Sequence, residues 1–441
     1  MKSFHRKGSY YILILLAFNI FQSASSQKDR PNIIYIMADD LGYSDLSGYG
    51  RKDYSTPNLD KLATQGLKFV NAYSASPLCT PSRTGFMTGR YPAKHAVGLR
   101  EPLVMNKKDS LVGLSPDQPT LAMLLKNTGY ETALIGKWHL GFLPKYNPNN
   151  NGFEYFYGIH SGAADYISHG GEKPGHDLYE NDQPVYTKGY LTEILRDKAV
   201  EFLEKKHDKP FFLSMQFNAP HWPWQGPGDK PYPDTMNLRA GGSQEIYSRM
   251  MKSLDDAVKT ILETLDKKNL TGNTIVIFTS DNGGDKFSDM GPLTGGKPLL
   301  WEGGIKVPAF VRWPGKIKAG ITEQPIITLD WTATILDIAH GKFSPQFPAD
   351  GMSLLPFLTG ERNPMPRTFY WRLFQRNQQK AMREGDWKWL QDEKGEYLFN
   401  IAKDPGEKNN LKEKEPSVFD GLKKKYEQWE TTVLKPIPLG G

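Results

Sequence analysis

Cysteine is almost absent: one residue, Cys79, in a chain of 441. A single thiol excludes an internal disulfide framework and any zinc site built from several thiolates. Long apolar runs are missing too. The run Tyr10–Phe21 spans about twelve residues, whereas a bilayer crossing takes about 20. No internal repeat is visible. Excess charge of one sign is small, with a formal net charge of +6. Lys2, Arg6 and Lys7 supply three of those charges and sit in a segment expected to be removed, leaving +3. That is too mild to argue for nucleic acid. Hydrophobic residues make up 38%, charged 24% and aromatic 12%. This is the composition of a folded globular chain, not of a long disordered tail, a collagen-like repeat or a coiled coil.

Residues 1–25 combine the basic start, the apolar run and the small residues Ser23, Ala24 and Ser25. That is the pattern of a secretory signal peptide. No cysteine follows the run, so no lipoprotein anchor is expected. The mature chain is expected to be periplasmic or secreted, with no membrane anchor. A lone thiol in an exported chain raises the question of what it does.

Short apolar runs alternate with helix-like stretches. Ile33–Met37, Phe69–Tyr73, Thr132–Gly136, Phe211–Phe217, Thr274–Thr279 and Ala309–Trp313 read as strands. Several are continuously apolar, which suits burial on both faces. Pro57–Gln65 reads as a helix, with Thr56 to cap it, Pro57 at the first position and Gly66 beyond its end. Gln244–Leu265 places Ile246, Met250, Leu254, Val258, Ile261 and Leu265 on one stripe. The alternation predicts an α/β fold with a mostly parallel sheet flanked by helices over residues 26–345. Beyond about residue 345 the strands shorten (Thr368–Trp371, Trp387–Leu390, Tyr397–Phe399) and a helix, Val418–Val433, closes the chain. Residues 346–441 read as a smaller C-terminal α+β subdomain with a short antiparallel sheet.

Two apolar strands run into acidic pairs. Ile33–Ala38 leads into Asp39 and Asp40, and Thr274–Ser280 leads into Asp281 and Asn282. In an open α/β sheet, ligands bind at the carboxyl ends of strands. Either pair alone reads as a turn. Together, on adjacent strands, they bring three carboxylates and an amide to one place. Such a cluster repels itself unless a cation sits within it, and all-oxygen donors select a hard ion, Ca²⁺ or Mg²⁺.

Pro81 suits the first turn of a helix, which puts Cys79 at or just before its N-terminus. That end attracts anions. Arg83, four residues on, shares the helix face of Cys79. The plain alternative is a small buried hydrophobe. Cys79-Thr80-Pro81-Ser82-Arg83, ending in Thr88-Gly89-Arg90, resembles the signature of type I sulfatases of the alkaline phosphatase superfamily. The resemblance covers nearly the whole mature chain. It includes Asp39-Asp40, Gly136 to Gly141, Ala219-Pro220-His221, Asp281-Asn282-Gly283, Gly296-Lys297 and Trp301-Glu302-Gly303-Gly304. Gly385-Asp386-Trp387-Lys388 and Asp404-Pro405-Gly406-Glu407 also look like the family.

The resemblance implies that a maturation enzyme oxidises Cys79 to formylglycine. The aldehyde hydrates, one diol oxygen attacks sulfur and expels the alcohol, and the other helps eliminate sulfate. It also implies metal ligation by Asp39, Asp40, Asp281, Asn282 and an oxygen of residue 79. A carboxylate-rich, loop-built site favours Ca²⁺, with Mg²⁺ possible. Sulfate-ester cleavage builds negative charge, so the site needs a cation and positive donors. Lys137 and His139 are two apart, so an extended chain puts both on one face. The family assigns them to the sulfate and the diol. Arg83 would hold residue 79 and the metal cluster in register. Lys297 and His221 would contact the sulfate and leaving oxygen, with His221 as general acid. His160 and Ser161 both follow the turn at Phe156–Ile159, and either serves as the family's next substrate contact.

Trp222 and Trp224 directly follow His221, and indole faces stack on sugar rings. Asp165, His169, Arg100 and Arg372 are further candidates for hydroxyl or carboxylate contacts. The expected substrate is a sulfated glycan or oligosaccharide. The rival readings are a formylglycine-dependent phosphate or phosphonate ester hydrolase and a catalytically silent glycan-binding protein of the same fold. Two-zinc phosphatases of the superfamily typically carry an Asp-His pair where this chain has Asp281-Asn282, which argues for one hard cation instead.

Overall fold

The computed structural model describes residues 30–106, 108–171, 175–233, 237–375 and 378–437. The expected signal segment, residues 1–25, lies outside them. Among the described residues, no helix is long and apolar enough to cross a membrane.

Ten strands form the main sheet. In chain order they are β1 (Asn32–Ala38), β2 (Leu67–Phe69), β4 (Glu131–Gly136), β5 (Tyr155–Gly158), β6 (Tyr179–Glu180), β7 (Gln183–Pro184), β8 (Phe211–Gln216), β9 (Thr274–Ser280), β10 (Ala309–Arg312) and β11 (Gly320–Thr322). β3 (Ala72–Tyr73) pairs separately with β12 (Ile326–Ile327). The spatial order is β11-β2-β10-β9-β1-β8-β4-β5-β6-β7. The centre, β9-β1-β8-β4-β5, is parallel throughout. β10 runs antiparallel to both β9 and β2.

The central strands are buried on both faces, which explains their unbroken apolar runs. Successive side chains of a strand point to opposite faces. Ile34 and Ile36 of β1 pack into one core with α1 (Pro57–Thr64), α4 (Leu191–Glu204) and α5 (Gln244–Lys267). Ile33, Tyr35 and Met37 pack into the other with α2 (Cys79–Thr88), α3 (Leu121–Asn127), α7 (Thr328–Ile338) and α8 (Leu355–Leu358). Helices on both faces of a mostly parallel sheet give the expected α/β architecture.

Most expected elements are present, with three instructive differences. Phe69–Tyr73 is two short strands, because the chain leaves the main sheet after Phe69 to pair with β12. Thr56 does not cap α1; its hydroxyl reaches Asp60 and Ser47 instead. On α5, Ser243 caps the start through Ile246 N, and Tyr247 and Met251 join the buried stripe while Ile246 stays half-exposed.

The short helix α6 (Glu302–Ile305) leads back into the main sheet. A four-stranded antiparallel sheet follows: β13 (Thr368–Leu373), β14 (Gln379–Glu384), β15 (Trp387–Asp392) and β16 (Gly395–Asn400). One face packs Phe369, Trp371 and Leu390 against Tyr73, Leu78 and Leu300 of the main body. The other packs Met382, Trp389 and Leu398 against Phe419, Leu422 and Tyr426 of the terminal helix α9 (Pro416–Glu430).

Candidate active site

Four neighbouring strands, β9, β1, β8 and β4, end on the same edge of the sheet. Each delivers polar residues just past its last apolar position. β1 gives Asp39 and Asp40, β9 gives Asp281 and Asn282, β4 gives Lys137 and His139, and β8 ends in Gln216 before the loop carrying His221. The N-terminus of α2 brings Cys79 to the same place. All six residues proposed from the sequence as catalytic are buried or nearly so.

Cys79 is the first residue of α2, with Leu78 extended before it. Its Sγ lies 3.4 Å from Asp39 Oδ1, 3.8 Å from Asp40 Oδ1 and 3.2 Å from Lys297 Nζ. Burial, and then the Asp39 carboxylate, push the thiol well above its ordinary range. A helix N-terminus ordinarily favours a thiolate, but here desolvation wins. As a plain thiol, Cys79 is a poor nucleophile.

The cations hold the acids in pairs. Arg83 donates from Nε to Asp281 Oδ2 at 3.0 Å, and from Nη1 to Lys137 O at 3.2 Å and Gln216 Oε1 at 3.0 Å. Its Nη2 lies 3.7 Å from Asp39 Oδ2. Lys137 Nζ sits 2.5 Å from Asp39 Oδ2. Lys297 Nζ spans both oxygens of Asp40 at 2.7 and 2.8 Å. Burial opposes the Asp40 charge, but Lys297, His221 and Lys137 together outweigh it and hold that carboxyl well below the usual range. Burial and then Asp39 push Asp281 up to about 6, with Arg83 pulling the other way.

The acidic cluster fits a hard cation. Ligand atoms of Asp39, Asp40, Cys79 and His221 lie within 4.8 Å of one another. Asp281 and Asn282 attach through Asp40: Asp281 Oδ1 accepts from Asp40 N at 3.1 Å, and Asn282 Nδ2 donates to Asp40 Oδ1 at 2.7 Å. Asn282 Oδ1 is buried with no hydrogen-bond partner. A buried amide oxygen left without a donor is costly. Beside three carboxylates, an oxygen-seeking divalent ion satisfies it.

His139 corrects the expected extended geometry. β4 stops at Gly136, where φ is +123° and an added Cβ would meet Gln216 O at 1.9 Å. His139 itself has φ +56°, so Lys137 and His139 do not follow strand alternation. Its Nε2 bonds Leu103 O at 2.8 Å, which leaves the buried Nδ1 without a partner. His221 bonds Trp222 O through Nδ1 at 2.5 Å and presents Nε2 3.5 Å from Asp40 Oδ2. Burial drives both imidazoles well below their ordinary pKa.

The candidate substrate contacts divide. Trp222 is half-buried, with its ring 4.6 Å from that of His221. The His160 ring packs on Phe156 and Tyr179, with Nε2 unpartnered. The Ser161 hydroxyl is occupied by Ala163 O and the Asp177 carboxylate. Trp224 is a core residue against Phe287. Asp165 is a structural hub, accepting from Ile167 N, Ser168 N, Gln225 and Tyr232 N. His169 is buried and bonds Gly189 O. Arg100 pairs with Asp109 at 3.2 Å. Arg372, on β13, donates to Leu434 O at 2.7 Å. In this fold Trp224, Asp165, His169 and Arg372 are engaged by backbone and core partners.

Two supporting residues escaped the sequence reading. Gln216 steadies Arg83, and the Thr80 hydroxyl donates to His139 O while accepting from Leu103 N. A polar residue closing the apolar run of β8, as Asp39 follows that of β1, was the signal for Gln216.

The sulfatase family profile matches residues 31–341. The chain belongs to the sulfatase family. A second profile, the C-terminal region of N-sulphoglucosamine sulphohydrolase, matches residues 296–432. Mouse (Mus musculus) arylsulfatase J is 30% identical, over 94% of this chain and 78% of its own. Human (Homo sapiens) N-acetylgalactosamine-6-sulfatase is 34% identical, over 79% of this chain and 70% of its own. A solved complex of Ps i-CgsB with k-i-k-neocarrahexaose superposes with a TM-score of 0.82 at 32% identity, covering 92% of this chain and 94% of that one. This sulfatase is a sulfuric ester hydrolase, and its fold is that of the alkaline phosphatase superfamily.

Proposed function

We propose that this sulfatase removes sulfate from a sulfated glycan or oligosaccharide, with residue 79 as nucleophile after conversion of Cys79 to formylglycine. The carrying observation is the setting of Cys79. It stands at a helix N-terminus among Asp39, Asp40 and Lys297, where burial suppresses the thiolate. The converted residue would supply a hydrated aldehyde as the nucleophile. Asp39, Asp40, Asp281 and Asn282 would hold a divalent cation, Ca²⁺ by preference, which supplies a fixed positive charge for the sulfuryl group.

The chain's own groups do the rest. Lys137 and Lys297 bring ammonium groups to the place where sulfuryl charge develops. Arg83 ties α2 to Asp281 and to the end of β4, keeping residue 79 in register with the acids. His139 offers its bare Nδ1 as acceptor for a proton on residue 79. His221 protonates the leaving oxygen through Nε2; the negative charge of the arriving ester offsets the burial that keeps this imidazole neutral. The half-buried Trp222 beside it offers a ring face to the sugar. The glycan assignment draws support from the N-acetylgalactosamine-6-sulfatase relative and from the neocarrahexaose held by the solved neighbour. Residues 346–441 are proposed as a separate subdomain that backs the site through α6, and the chain as periplasmic or secreted.

Two measurements test this. Peptide mass spectrometry of protein co-expressed with a maturation enzyme should show a loss of about 18 Da at residue 79. A panel of sulfated sugars, aryl sulfates and phosphate or phosphonate esters then assigns the substrate. An unmodified thiol in an active enzyme overturns the nucleophile, and turnover of aryl sulfates alone overturns the glycan.

A further inference from the structure

A cleft of about 560 Å³ lies between the main body and the four-stranded sheet. Tyr43, Asn71, Pro364, Met365 and Ala402 line it. None of the residues assigned to the catalytic centre lines it. Its volume is in the range of small-molecule sites.

Two buried cations face this cleft with no acid in ion-pair contact among the described residues. Lys306 is 8% exposed and Arg383 3%, and both line it. Lys306 Nζ lies 5.2 Å from the Tyr43 ring centroid. Among the described residues, no hydrogen-bond acceptor or ion-pair partner meets its ammonium. Arg383 spends Nε on Gly385 O at 2.8 Å and stacks on Tyr73 at 5.0 Å, but its buried Nη1 has no partner. The nearby acids are already engaged. Glu302 accepts from Lys388 and Tyr73, and Glu407 pairs with Lys388. Three cations thus share two carboxylates in a buried setting. Burial pushes the Lys306 ammonium below its ordinary pKa against the pull of Glu302, with Arg383 and Lys388 adding repulsion. Glu323 and Asp386 also line the cleft, but both are exposed and neither pairs with Lys306 or Arg383.

A buried charge without a counter-charge is expensive. A fold carries that expense readily where a ligand supplies the missing charge. We propose that this cleft is an oxyanion-binding site, separate from the ester-cleaving centre, in which Lys306 and Arg383 receive one sulfate or carboxylate group. The source is either a free anion, such as released sulfate, or the charged group of a saccharide. Neither source depends on which ester the catalytic centre cleaves.

The test uses the full mature chain carrying Cys79→Ala, so that no probe is consumed. Sodium sulfate and a 6-O-sulfated monosaccharide are titrated separately by calorimetry. Lys306→Met and Ala402→Trp are added in turn. The first removes the cation; the second fills the exposed rim and leaves the cation in place. Each is expected to remove one bound equivalent relative to the parent. Lys306→Met should also raise the ligand-free melting temperature, because it deletes an unpaired buried charge. Retention of every equivalent in either folded variant overturns the site, as does a parent that binds neither probe. Equal affinity for the two probes assigns the free anion, whereas tenfold tighter binding of the sugar assigns the saccharide. Glycan turnover by the unsubstituted enzyme is read separately, so failure of the site and failure of the substrate assignment are distinguishable.

Discussion

Lys388 Nζ lies 3.0 Å from Glu302 Oε1, joining β15 of the small sheet to α6 of the main body. Both side chains are buried. Glu407 completes the group, 2.7 Å from the same ammonium, and accepts from Glu302 N at 2.7 Å. Tyr73 donates to the other oxygen of Glu302 at 2.6 Å. The ammonium and the Glu302 carboxylate are therefore well satisfied. Removing one member leaves an uncompensated buried charge, which costs about 3–5 kcal/mol. Lys388→Met should lower stability by that amount in urea unfolding. An unchanged midpoint would show that the two sheets are not held together here.

Lys297→Ala removes a cation proposed to meet the sulfuryl group. Loss of one such stabilising donor costs about 10²–10³ in kcat. The expected result is that loss together with a lower melting temperature, because the variant leaves the buried Asp40 carboxylate without its ion-pair partner. A kcat within threefold of the parent would remove Lys297 from the reaction.

Arg83→Lys is not conservative, because a lysine cannot reproduce the guanidinium fork. Asp281, Gln216 and Lys137 O share that fork. Misplacing residue 79 should lower kcat by about 10²-fold, and stability should fall as well. Gln216→Leu should show a smaller loss of the same kind.

Calcium should raise the melting temperature of the protein, and a chelator should reverse the gain. At 100 times the dissociation constant the stabilisation is about 2.7 kcal/mol. Asn282→Ala should weaken the effect, and Asp39→Asn should abolish it. If calcium and magnesium both leave the melting temperature unchanged, the acids hold no such ion.

Buried histidines, His95 and His160 among them, set a pH dependence of stability. Burial lowers His95 and His160 to about 4, against about 6.5 in an unfolded chain. Above pH 6.5 both states are neutral, and the stability is fully present. As pH falls from 6.5 to 4, only the unfolded chain takes up these protons. Each histidine then removes up to about 1.4 kcal/mol per pH unit. His95→Gln should flatten the decline in denaturation curves over that window. A decline of the same slope would place its origin elsewhere.

The acidic corner was legible because it lies at the ends of unbroken apolar strands. Residues past the last buried position of β1 and β9 have nowhere to go but the carboxyl edge. The course of the chain at Lys137–His139 was not, because the close approach of Gly136 to Gln216 is set by a neighbouring strand. β14 also escaped. Its sequence, Gln379 to Glu384, is polar, and its inward groups are satisfied by remote partners: Gln379 accepts from Leu300 N, and Arg383 stacks on Tyr73. Trp224 and Asp165 looked like sugar contacts because they belong to residue types that sugars use. Their actual partners, Phe287, Gln225 and Tyr232, come from distant positions that spacing does not announce.

Every residue of α2 from Cys79 to Thr88 is buried. Residue 79 itself is 1% exposed, beneath Lys297 and against the ends of β1. A protein large enough to rewrite a side chain has no approach to it in the folded molecule. The conversion proposed for residue 79 would therefore belong to a brief interval in biogenesis, after residue 79 is synthesised and before the sheet closes over it. A chain that folds first has missed its turn. On that proposal its activity would not be restored by exposure to the maturation enzyme unless it were unfolded again, and the fraction of active molecules would be fixed at birth.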